Sequence, residues 1–150
     1  MPLVVRFERP SFGIEEAREI ARERFGLEGR VEELPSERDR NFRIEAAGGA
    51  RFVLKLAHSD ESPQILDLQH RALERIAERA PFLRLPRLLR SRAGAEVETV
   101  RSSEGTSHLA RVLTWVDGPE WAKVSPHTPE LLRSLGRAIG GMDRALAKLK

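Results

Sequence analysis

"RFVLKLA", residues 51–57, sets one lysine in the middle of a run that otherwise reads as buried β-strand. By alternation Phe52 and Leu54 share one side of that strand, and Val53, Lys55 and Ala57 share the other. Both sides are largely apolar, so Lys55 has fewer routes to water than an ordinary strand lysine. An ammonium in such a place needs a partner or an anion. The plain alternative is a lysine that the pleat happens to turn toward solvent.

The chain around it reads as alternating strands and helices. Upstream, Val31–Leu34 and Phe42–Ala46 read as strands, joined by the polar turn "PSERDR" at 35–40. "AAGGA" at 46–50 is a tight turn into the Lys55 strand. Connections this short make the three strands antiparallel neighbours.

A helix over 11–25 precedes them, with Ile14, Ala17, Ile20, Ala21 and Phe25 at helical spacing. Ser11 is its expected cap and Gly26 its stop. After Lys55, Ser62 and Pro63 open a second helix. Its apolar stripe is Ile65, Leu68, Ala72, Leu73 and Ile76, and it ends before Pro81.

"FLRLPRLLRS" then leads toward two more strands joined by the turn "SSEGTS", the second ending in Val112–Val116. A loop follows. A last helix starts near Thr128 or Pro129 and carries Leu131, Leu132, Leu135, Ile139, Met142, Leu146 and Leu149.

The expected fold is α+β. It has a five-stranded antiparallel sheet, one helix packed on it, and flanking helices at both ends. It forms a single domain over 1–150.

Composition removes several function classes. The 150 residues are 40% hydrophobic and 33% charged, a globular balance. There is no cysteine, which excludes disulfides and thiolate metal sites. That fits a reducing, cytoplasmic setting. "MPLVVRFERP" lacks the apolar core of a signal peptide, and no run approaches 18 apolar residues, so no membrane span is expected.

The 26 basic residues face 23 acidic ones and are interleaved with them, as in "EEAREIARERF". This reads as solvated helix faces and not as a nucleic-acid surface. With no Tyr and 5% aromatics, platforms for stacking bases are scarce.

Polar residues around Lys55 suggest what it holds. Gln69 lies between Ile65 and Ala72 on the stripe of the second helix, and a polar group there needs a hydrogen-bond partner such as the Lys55 ammonium. A Gln at the stripe's edge reaching water reads equally well. The turn before Lys55 carries Ser36, Arg38, Arg40 and Asn41. Ser36 and Asn41 are candidate donors to phosphate, and Arg40 a candidate cation. The same turn also reads as an ordinary charged hairpin. Trp115 and Trp121 flank the next loop, as packing residues or as a stack for a base. No Walker loop, G-x-S-x-G or H-E-x-x-H is present, and the four histidines share no metal-ligand spacing.

"FVLK" stands where protein kinases carry their "VAIK" strand. The order of elements, with "LARVLTWVDGPEW" and "LLRSLGRAIGGMDRAL", resembles the N-terminal lobe of the aminoglycoside phosphotransferase and choline kinase-like family over residues 11–149. "ELPSERDRNFRI" is most similar to the hydroxylysine kinase-like branch, whose members are sometimes fused to class III aminotransferases.

The resemblance implies a nucleotide-binding lobe of a small-molecule kinase that moves the γ-phosphate of ATP or GTP to a hydroxyl acceptor. It assigns Lys55 to the α- and β-phosphates. Gln69 takes the place of a glutamate that pairs with this lysine. The backbone at Thr114 and Val116 is assigned to the purine ring in a hinge over 114–118, and 129–149 becomes an interlobe helix.

The family's "HGD" catalytic loop is missing, since none of His58, His70, His108 and His127 is followed by Gly-Asp. No catalytic residue and no metal ligand is therefore assigned. Magnesium ligands belong to a C-terminal lobe expected to be absent from this chain, and the chain alone is expected to be inactive. The apolar face of the last helix would then drive self-association. The rival expectation is a non-enzymatic kinase-like binding module.

Overall fold

A computed structural model describes residues 9–149. The stretch 1–8, read as lacking a signal peptide, and Lys150 lie outside it. The chain forms two compact units. One comprises the chain up to Pro63 together with Leu88–Trp115, and the other Gln64–Arg87 together with the chain from Val116 onward.

The first unit is a six-stranded antiparallel sheet with one helix. Helix α1 (Ile14–Phe25) precedes β1 (Gly29–Leu34), β2 (Arg40–Ala46) and β3 (Arg51–Leu56), and β4 (Leu88–Leu89), β5 (Glu98–Arg101) and β6 (Ser107–Thr114) follow. The spatial order is β1-β2-β3-β6-β4, with β5 also paired to β6. The expected count was five. The sixth strand is β4, two leucines within "FLRLPRLLRS" too short to show any alternation.

Helix α1 starts at Ile14, three residues later than expected, and its cap is Gly13 and not Ser11. Phe12 is 3% exposed, and its N–H bonds to the Pro10 carbonyl at 3.1 Å. The chain at 10–12 therefore seats a phenyl ring instead of beginning the helix. Glu16 reaches back to accept from the Gly13 N–H at 2.7 Å. Gly26 ends the helix as expected. Its φ of 68° lets Leu27 close a 3.0 Å bond onto Ala21 O.

Ala17, Ala21 and Phe25 recur every four residues and are buried. They pack with Phe42, Ile44, Leu54, Leu56 and Val112 from the sheet. Those five are the largest fully buried side chains, each contributing about 1.5–3 kcal/mol. Alternation thus gives one side of the central strands to the core and turns Lys55 to the other.

In the second unit, α2 (Pro63–Arg79) and α3 (Pro129–Leu146) flank a 3-10 turn at Trp121–Lys123. Ile76, Ala80 and Ala145 form its core with Leu83, Leu85, Met142 and Leu146 around them. Arg75 donates from Nε to Ala145 O at 3.1 Å. Pro129 opens α3, and Thr128 Oγ1 accepts from the Leu131 N–H at 3.2 Å.

The α2 stripe differs from the expected one. Leu66, His70 and Ile76 are buried, whereas Ile65, Leu68 and Gln69 are exposed. Pattern alone took the large aliphatics at 65 and 68 as the inner face, but the helix is rotated so that a histidine occupies it.

Candidate functional site

Register decides which side chains meet on the side of the sheet away from its core. Leu34 pairs with Asn41, Asn41 with Lys55, and Lys55 with Arg111. These four stand in one row across β1, β2, β3 and β6, on the side away from the core. A second row, two residues along each strand, holds Glu32, Arg43, Val53 and Leu113. One row is thus cationic and amide-bearing, while the next carries an acid and a base on β1 and β2 and two aliphatics on β3 and β6.

The Lys55 ammonium donates to Asn41 Oδ1 at 3.1 Å. Burial is the main reason that Lys55 is held below the ordinary lysine value of 10.5, and the Arg111 guanidinium beside it pushes the same way. The Asp39 carboxylate opposes both. Arg111 is itself 7% exposed. Burial lowers its pKa as well, with Asp39 and Glu61 acting against that.

Asp39 directly precedes β2, and its Oδ1 accepts from the His58 main-chain N–H at 3.1 Å. Glu61 lies in the turn after β3, where its N–H bonds to His58 O at 2.9 Å.

The remaining expected site residues are distributed around this row. Ser36 is half-buried in the turn between β1 and β2. Arg40 pairs with Leu56 and so leaves β2 on the core side, opposite to Lys55. Its Nε donates to Pro10 O at 3.1 Å, and it forms an ion pair with Glu33. Arg40 therefore anchors the amino-terminal segment and does not join the row.

Thr114 ends β6 opposite Phe52. The next N–H, from Trp115, bonds to Arg51 O at 2.9 Å. By alternation Thr114 points its own main-chain groups away from β3. Val116 opens the second unit and is 40% exposed, and Gln69 is exposed on α2 of that unit. The expected strand end at Val116 falls two residues too late, because β6 stops at Thr114.

Both tryptophans engage cationic or imidazole groups of their own unit. Arg43 lies over the Trp115 ring at 5.5 Å, and Trp121 stacks on His127 with centroids 4.4 Å apart.

Arg111 and Asp39 belong to the site and were not singled out from sequence. Arg111 carried the same signal as Lys55, a cation between apolar neighbours in "LARVLTW". Asp39 carried none, being one charged residue among several in its turn.

Among the described residues, no three His, Asp or Glu side chains gather as a metal site. None of the helices described there is long and apolar enough to cross a membrane.

Known proteins resemble the chain in sequence and in fold. The sequence profile of the phosphotransferase enzyme family matches residues 30–150. A hydroxylysine kinase of Mus musculus is 25% identical over 92% of the chain, and one of Danio rerio is 26% identical over 95%. The chain spans only 39% and 41% of their respective lengths. In fold it is similar to an amicoumacin kinase, solved in complex with AMP-PNP, Ca2+ and Ami, with a TM-score of 0.76 at 15% identity. That match covers 93% of this chain and 41% of the other.

Proposed function

The chain belongs to the phosphotransferase enzyme family, and on that premise we propose that it supplies the nucleotide-binding portion of a small-molecule kinase. The whole enzyme would move the γ-phosphate of ATP or GTP to a hydroxyl acceptor. The observation that carries this reading is the row Asn41–Lys55–Arg111, which holds two cations in cross-strand register on the side of the sheet away from its core.

Such a pair is costly without an anion, since like charges directly opposite each other destabilise a sheet. Phosphate oxygens next to the Lys55 ammonium would offset that repulsion. Val53 and Leu113 in the neighbouring row offer the apolar contact that a purine needs. The main chain at Thr114 is proposed to hydrogen-bond its edge, and Ser36 and Asn41 to face the phosphates.

A metal-bound nucleotide is the usual donor in phosphoryl transfer. The described residues do not fit a magnesium centre, since no three His, Asp or Glu side chains gather among them. These residues bind and orient the donor, and the base that activates the acceptor is not among their motifs.

Equilibrium binding of ATP and GTP, with magnesium, to the wild type and to Lys55→Ala tests the reading. Binding by the wild type and loss in the variant is the expected result. Equal binding by both would remove Lys55 from the site.

A second reading is a kinase-like module that binds a protein partner without chemistry. It predicts that Lys55→Ala leaves partner affinity unchanged.

A further inference from the structure

We infer that the Arg43 guanidinium on β2 is the plane on which the base of the ligand stacks. The inference rests on the nucleotide reading of the Lys55 row, and it says what meets the other end of the same molecule.

The two rows divide the work. The Lys55 row carries Arg111, next to the ammonium proposed for the phosphates. The row beside it runs through Glu32, Arg43, Val53, Leu113 and, on β4, Leu88. The aliphatics supply apolar contact but no flat face, and a base gains most from a planar partner. Of these side chains, the guanidinium is the one whose plane stacks on π-systems.

Arg43 is held at two points. Its Nη2 donates to Glu32 Oε2 on β1 at 2.7 Å. Its guanidinium carbon lies over the Trp115 ring, 5.5 Å from the centroid. Trp115 directly follows β6, and β2 and β6 are the two neighbours of β3. The contact therefore spans β3, where Arg43 pairs with Val53 and the Trp115 N–H bonds to Arg51 O at 2.9 Å. Val53 and Lys55 are two residues apart, about 7 Å of strand, a span that a ribose bridges between base and phosphate.

A brace for the sheet is the plain alternative. The side chains of Arg43 and Glu32 are 29% and 46% exposed, and an ion pair that wet contributes little to stability. The same exposure leaves the guanidinium within reach of a ligand. Trp115 lies on one side of it, and a base on the other completes a sandwich of ring, cation and ring.

Arg43→Lys keeps the charge that pairs with Glu32 and removes the plane, so a mere brace survives it. Calorimetry with adenosine, with ATP and magnesium, and with tripolyphosphate and magnesium separates base from phosphate, since the last has no base. Arg43→Lys is expected to weaken adenosine and ATP by about fivefold and to leave tripolyphosphate unchanged. In the wild type, adenosine should move the Arg43 Nε–H signal upfield, as a ring face does to a proton above it, and tripolyphosphate should not.

Equal binding of adenosine and ATP by wild type and Arg43→Lys overturns the inference and leaves the Lys55 row in place. A loss of tripolyphosphate binding as large as that of ATP overturns it too, because Arg43 would then serve the phosphates. Where the variant does not fold, the wild type decides, and an Nε–H signal that adenosine leaves unmoved overturns the inference. A wild type that binds tripolyphosphate as tightly as ATP makes no use of a base, which overturns the inference and keeps a phosphate site. A wild type that binds none of the probes removes the nucleotide reading itself, and the inference with it.

Discussion

Lys55 and Arg111 face each other across adjacent antiparallel strands, two cations in register on one side of a sheet whose other side is the core. Cross-strand pairing of like charge opposes folding, by roughly 0.2–1 kcal/mol for an exposed pair. Partial burial of both groups adds to that cost. The first unit therefore gives up stability at the place where it is proposed to bind its ligand.

Lys55→Met keeps the stem of the side chain and removes the charge. It is expected to raise the melting temperature while lowering ATP affinity by about 10- to 100-fold, the value of a charged hydrogen bond. Thermal unfolding alongside calorimetric titration checks both halves. A variant that loses stability together with binding would show that Lys55 supports the sheet.

The alkaline limb of stability should carry the same signature. Lys55 is held below its ordinary 10.5 in the folded chain, so between the folded and unfolded values the unfolded state binds more protons. Stability must then rise with pH across that window, because the burden of an ionised buried ammonium is relieved as it deprotonates. Phosphate affinity should fall over the same range. Denaturant midpoints measured from neutral pH upward are expected to climb for the wild type and to climb less for Lys55→Met.

Gly29 opens β1 against Ala46, and a Cβ there would stand 1.9 Å from the Glu45 carbonyl oxygen. Gly29→Ala must push the backbone of β1 away from β2, at a cost of about 1–3 kcal/mol. Hydrogen exchange should show lost protection along β1 and the facing part of β2, with the β5–β6 hairpin unaffected.

Leu132, Leu135 and Ile139 are 51%, 39% and 46% exposed on α3. Sedimentation of the chain over a range of concentrations is expected to show self-association, and Leu135→Glu to reduce it with little change in melting temperature. A wild type that stays monomeric would show that this face has no affinity for its own copy.

The pairing of the first three strands and the place of Lys55 on the third were legible because alternation and short turns act locally. "AAGGA" could only reverse the chain, and its Gly49 adopts φ 82° to do so. What escaped the sequence depended on partners far along the chain. The burial of Arg111 follows from pairing with β3 more than fifty residues earlier, and β4 exists only because β6 is there to receive two leucines. The rotation of α2 was misread for a related reason. Ile65 and Leu68 look like inner residues to any hydrophobic pattern, yet tertiary packing buries Leu66 and His70. The role of Arg40 turned on a single residue of register, which sends it to Pro10 and Glu33 while Asn41 reaches Lys55.

The first unit is assembled from two separated lengths of chain, so β3 must wait for β6. During synthesis at about 5–20 residues per second, the roughly fifty residues between them take about 3–10 s to emerge. Through that interval a strand with the sequence "RFVLKL" presents an unsatisfied edge to whatever lies near the ribosome. Lys55, with Arg51 at the start of the strand, breaks that apolar run with charge, so the two act as gatekeepers of the nascent chain before any ligand proposed for it could bind.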